Sequence, residues 1–66
     1  MNAKAVVTVI AGHVEHTFTA TITDGYTFHG HTFYEYALPT DAPAAVRIDY
    51  LHGFTSVPAS RVVFAL

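Results

Sequence analysis

Cysteine is absent from the chain. No disulfide can staple the fold, no thiolate can hold zinc or attack a substrate, and the redox compartment leaves no trace in the sequence. Basic residues are nearly as scarce. Lys4, Arg47 and Arg61 stand far apart in a chain of formal net charge −2. Nucleic-acid binding draws on phosphate neutralisation, so without a basic patch nucleic acid is not an expected partner. The five acids are scattered too, which argues against an acidic mimic of DNA. No apolar run approaches the roughly 20 residues of a membrane span. Met1-Asn2-Ala3-Lys4 leads into a strand-like run without a clear cleavage site, so a signal peptide is not expected and a cytoplasmic location is the default.

Catalytic motifs are missing as well. Ser56 and Ser60 lie in no nucleophile elbow, and there is no glycine-rich phosphate loop. His16 or His31 with Glu35 or Asp49 could support acid–base chemistry, but the sequence defines no pocket around them. No catalytic residue is therefore assigned, and a non-enzymatic role is expected.

What the chain does have is apolar surface in excess. Its 66 residues allow a single small β domain over 1–66 with one modest core, burying only about 60% of the unfolded surface. Yet 52% of the residues are hydrophobic and only 12% are charged, against roughly 25% charged in an ordinary domain. Apolar side chains must spill outward, and exposed apolar patches mark interaction sites. Self-association is expected, together with a protein or small-ligand partner. With disulfides excluded, the remaining ways to support so small a core are a partner subunit or a histidine-bound metal.

The pattern of the chain is that of strands. Residues 4–11 are rich in β-branched residues. Over 14–23 the alternation is strict: Val14, His16, Phe18, Ala20 and Ile22 face one way, and Glu15, Thr17, Thr19, Thr21 and Thr23 the other. Asp24-Gly25 is a hairpin signal. A three-residue loop Thr23-Asp24-Gly25 matches the apolar rows of the flanking strands and makes 26–36 one continuous strand, with His29-Gly30 inside it. Pro39 to Pro43 read as a loop. The segment Val46-Arg47-Ile48-Asp49-Tyr50 alternates and is read as a strand, with a helix framed by Thr40 and Gly53 as its rival. Residues 54–57 are read as a short strand. The tail Pro58-Ala59-Ser60-Arg61-Val62-Val63-Phe64 is similar to the end of an SH3-like barrel, where a short 3₁₀ turn precedes the last strand. That resemblance covers about a tenth of the chain and implies shape alone. The expected fold is all-β, a small antiparallel barrel or sandwich of five to six strands with the SH3-like barrel favoured. The alternative is α+β with one short helix in 41–52 or 58–66.

The candidate site lies in Tyr26–Leu38, where Tyr26, His29, His31, Phe33 and Glu35 are the expected binding residues. In the continuous-strand register Phe33 falls on the outer face among polar neighbours, as an anchor for a partner would. His29 and His31 would share a strand face about 6.6 Å apart and form the candidate metal ligands, for Zn²⁺ above all. With Glu35 they also match the His-x-His-x-x-x-Glu core of the first cupin motif, which implies a metal-binding set. In an extended strand, however, Glu35 lies about 13 Å from His31, and a third ligand would have to come from elsewhere. The same register sets His13 opposite Glu35 and offers Thr32 to His16 on the apolar face. The expected function is a small interaction protein engaging its partner through an aromatic, histidine-bearing strand face. The alternative is a metal-binding protein or metallohydrolase using His29 and His31. Chains this small are often accessory proteins, among them inhibitors carried by mobile elements, an expectation resting on size alone.

Overall fold

The computed structural model describes residues 2–65. In chain order the elements are β1 (Ala3–Ala11), β2 (Val14–Phe28), β3 (His31–Ala37), α1 (Ala44–Leu51), β4 (Ser56–Pro58), a 3₁₀ turn (Ala59–Arg61) and β5 (Val62–Phe64). The strands form one antiparallel sheet in the order β4-β3-β2-β1-β5. The fold is all-β with one minor helix. The 3₁₀ turn before a last short strand falls where the tail pattern places it. Among the described residues, β4 and β5 are the two ends of the hydrogen-bonded ladder.

Two tight turns set the register. Gly12 and His13 (φ 59° and 63°) join β1 to β2 with Ala11 facing Val14. His29 and Gly30 (φ 50° and 77°) join β2 to β3 with Phe28 facing His31. In each, two residues with positive φ give the turn whose twist matches a right-twisted hairpin. The expectation of a turn at Thr23-Asp24-Gly25 and an unbroken strand over 26–36 is therefore overturned. Asp24 and Gly25 sit inside β2, paired with Glu35 and Tyr34.

The reason is a bulge. Ile22 faces Tyr36 but Asp24 faces Glu35, so Thr23 is an extra residue in β2. One inserted residue inverts the side-chain parity of all that follows. Before the bulge, His16, Phe18, Ala20 and Ile22 point to the core side, as their alternation indicates. After it, Gly25 takes the core-side place opposite Tyr34, while Tyr26 and Phe28 turn outward. Gly25 is needed there because a Cβ would lie 3.0 Å from the Tyr34 ring. Thr23 also donates its hydroxyl to the Glu35 carbonyl at 3.4 Å. His13, expected opposite Glu35, is instead a turn residue, and the His16 Nε2 meets the Ala11 carbonyl at 3.2 Å rather than a Thr32 hydroxyl.

Residues 46–50 are helical, not extended. Five alternating residues fit either element, because Val46 and Tyr50 are spaced for a helix face as well. Pro43 immediately precedes the first helical residue. The exit is decided by Gly53 (φ 99°), whose N–H bonds the Tyr50 carbonyl while Phe54 N–H bonds that of Asp49. This is the Schellman stop, which needs a left-handed residue at that place. Val46 is fully buried, and Arg47 ties the incoming loop by donating to the carbonyls of Thr40 and Ala42. The next strand is Ser56–Pro58, later than the expected 54–57.

The core is small: Ala5, Val7, Ala20, Ile22, Tyr36 and Val57, with Val9, Phe18, Tyr34, Leu38, Tyr50 and Val62 packed against them. Tyr36 is its largest member and sits edge-on to both Phe18 and Tyr50. Tyr50 donates its hydroxyl to the Tyr36 carbonyl at 2.9 Å, but the buried Tyr36 hydroxyl has no partner among the described residues. Burial, then the neighbouring Tyr50 and Asp49, hold its pKa above the ordinary 10.0. Leaving a buried hydroxyl unpaired costs about 1–3 kcal/mol. Tyr36→Phe is expected to raise stability by about 1 kcal/mol, measured by urea denaturation at neutral pH; a clear loss would show that the hydroxyl is partnered. The unfolded chain releases this proton at lower pH than the folded one. Its stabilising effect is thus whole below about pH 10 and is lost as pH rises further, a component that Tyr36→Phe should remove from the alkaline unfolding profile.

Candidate functional site

The first half of β2 pairs with β1 and the second half with β3, and the two ladders overlap only at residues 21 and 22. Beyond that overlap the β2–β3 hairpin extends past the core as an arm. Every residue from 23 to 32 is exposed, on both faces of the ribbon.

The bulge decides what the outer face of this arm carries. Phe28 stands opposite His31, Tyr26 opposite Phe33, and Asp24 opposite Glu35. The Tyr26 and Phe33 rings stack, 5.6 Å between centroids at 20°. Next to Phe33 runs β4, with Pro58 opposite Phe33 and Ser56 opposite Glu35. The Tyr26 hydroxyl meets the Ser56 hydroxyl at 3.0 Å, which fixes the ring from its far end. His29, at the tip, packs its ring edge-on to Phe28 at 4.1 Å. The result is a short apolar strip with an imidazole end and a carboxylate end. Tyr26 and Phe28 remain 42% and 59% exposed.

All five residues singled out from sequence therefore lie on one hairpin. Tyr26, His31, Phe33 and Glu35 share its outer face, and His29 caps its tip. They meet because the chain folds back at His29-Gly30, which the continuous-strand register does not allow. That register also misses Phe28, by assigning it to the buried row. The signal that finds it is Asp24, a carboxylate that unbroken alternation would set in the apolar row after Ile22, so that an extra residue is needed between the two.

For a metal, the arm offers two imidazoles, one in the turn and one on the strand after it. Glu35 is still four strand residues from His31. No group of three or more His, Asp or Glu side chains converges among the described residues. Zinc sites ordinarily take three or four protein ligands, so a metal held by His29 and His31 would draw its third donor from a second molecule.

No helix among the described residues is long and apolar enough to cross a membrane. Comparison of the chain with protein-family models, with curated proteins and with solved structures gives no match.

The turn makes a test that the extended alternative fails. A β-branched residue at positive φ is strained by about 1–2 kcal/mol, whereas glycine is not. His29→Val is expected to lower stability by about 1–2 kcal/mol and His29→Gly to leave it unchanged or raise it slightly. In a continuous strand valine would be the better residue and glycine the worse. Urea denaturation of the two variants reads the difference directly.

Proposed function

We propose that the chain is a small, non-enzymatic interaction protein that self-associates and takes a protein or small-ligand partner on the outer face of the β2–β3 arm. The observation that carries this reading is the strip Tyr26, Phe28 and Phe33 with His31, held in place by stacking and by the Ser56 hydroxyl and left open to solvent. A side chain already fixed in its bound position loses little entropy on docking, which is what makes rigid aromatics good anchors.

Two further features support it. Large hydrophobics are also exposed elsewhere, with Ile48, Leu51, Phe54 and Val63 each more than half accessible, so the chain as a whole has more apolar surface than its core can absorb. Asp24 and Glu35 lie at one end of the strip and His29 and His31 at the other. Two molecules packed head to tail on this face would bring unlike groups together. A chain of this size whose purpose is to occupy a surface on another protein fits the accessory or inhibitor class.

Phe28 is the residue to test, since its side chain is exposed and its removal should change stability by no more than about 0.5 kcal/mol. In Phe28→Ser, self-association followed by sedimentation velocity is expected to weaken about tenfold, the loss of roughly 1.4 kcal/mol at an anchor position. A wild-type protein that stays monomeric at every concentration would sink the self-association part. Phe28→Ser associating like the wild type would move the contact to another face.

A further inference from the structure

The outer face of the β2–β3 arm differs at its two ends. Phe28 and His31 form the pair beside the turn, Tyr26 and Phe33 the middle pair, and Asp24 and Glu35 the last. We infer that the molecule covering this face is a second copy of the chain, laid antiparallel about a two-fold axis, with His31 of each copy against the partner subunit's Glu35. The inference rests on the reading of the arm as a self-association surface and adds which way round the two arms pack.

Charge selects the arrangement. Two copies of a ribbon face can meet about a two-fold axis that runs along the strands or across them, and both give a closed dimer. With the axis along the strands, like ends meet, and the carboxylates of Asp24 and Glu35 from both copies gather at one place. Like charges set side by side across an interface are costly. With the axis across the strands, the order of the pairs is reversed in the second copy. The Tyr26–Phe33 stack, 5.6 Å between centroids, then lies on its own equivalent. His31 lies over the partner subunit's Glu35, and Phe28, with His29 packed edge-on against it, lies over the partner subunit's Asp24. Within one copy His31 and Glu35 do not meet, because four strand residues set them about 13 Å apart. The strip is complementary to itself reversed, as a contact that uses the same patch twice requires.

Such a contact depends on pH with a definite sign. An imidazole takes up a proton between about pH 7 and about pH 5.5, a range in which carboxylates stay ionised. A charged imidazole against a carboxylate strengthens the dimer as pH falls. On the arm itself the other titratable groups are His29, a second imidazole at the same end, Asp24 beside Glu35, and Tyr26, whose hydroxyl meets that of Ser56. Tyr34 is on the other face, edge-on to Phe64. From β4, Pro58 stands opposite Phe33 and Ser56 opposite Glu35, and neither titrates. Arg61, in the 3₁₀ turn after β4, lines the groove beside Thr8 and Ile10. Protonating all five histidines would carry the chain from −2 to a net positive charge. Overall repulsion therefore does not account for tighter association in acid, and the local pairing does.

The test is sedimentation velocity over a range of concentrations at about pH 7.5 and about pH 5.5, on either side of the imidazole range, with and without EDTA. The dimer dissociation constant is expected to fall about tenfold at the lower pH, the product of two equivalent exposed pairs of about threefold each. EDTA should change nothing, and added salt should narrow the difference. His31→Gln and Glu35→Gln should each remove most of the response, while His52→Gln, at the end of α1, should leave it intact. Dimers that need Phe28 but form equally well at both pH values would overturn the antiparallel packing and leave the arm as the contact. A chain that is monomeric throughout, or associates unchanged in Phe28→Ser, would remove the surface itself and the inference with it. Association that tightens as pH rises and weakens in EDTA would overturn the pairing and give the histidines to a metal.

Discussion

The whole molecule hangs on one strand serving two partners. β2 runs for fifteen residues, longer than the core it crosses, and gives its first half to β1 and its second to β3. A sheet with one buried face fixes side-chain parity along a strand. Here parity must be right for a core at one end and for solvent at the other. The extra residue Thr23 meets both demands. It keeps Ile22 and Tyr36 in the core, puts Gly25 under the Tyr34 ring, and sends Tyr26 and Phe28 outward. Without the bulge these two aromatics would continue the row begun by His16, Phe18, Ala20 and Ile22, and the outer face of the arm would hold alternate polar residues.

The same constraint explains what could be read from sequence. The alternation of 16–22 defines the correct face because the bulge comes only after it, and the all-β class follows from composition and period. The place of the hairpin is not legible because Asp24-Gly25 and His29-Gly30 both suit a turn. Aligning apolar rows favours the first only if every aromatic is assumed to seek the core. In a chain with more apolar residues than interior, that assumption fails at Tyr26 and Phe28. The helix escaped for a different reason. Val46, Ile48 and Tyr50 satisfy period two, and Val46 and Tyr50 satisfy the helical period. The deciding signal was Gly53, readable as a helix stop but outweighed by the alternation. The five site residues were legible because aromatic, imidazole and carboxylate groups were dense in one stretch. Their arrangement was not, because it depends on the bulge.

The core shows how thin the margin is. Its largest side chain is a tyrosine that buries a hydroxyl without a partner, while the phenol of Tyr50 secures the Tyr36 backbone. Aromatic edges from Phe18 and Tyr50 offset part of that cost. A fold of this size with a compromised central residue gains much from anything that covers its exposed apolar surface, since binding to the folded state alone adds directly to stability.

The open edge of the arm carries its own cap, which bears on how the arm can be approached. Along 24–28, β2 has β3 on one side and no other strand among the described residues on the other, and by the alternation from Phe28 the Gly25 N–H points to the open side. Asp24 takes that N–H with its own carboxylate at 2.8 Å. An edge whose donor is already satisfied and whose flank is negatively charged resists a further strand. The arm can therefore be approached on its aromatic face, not along its edge.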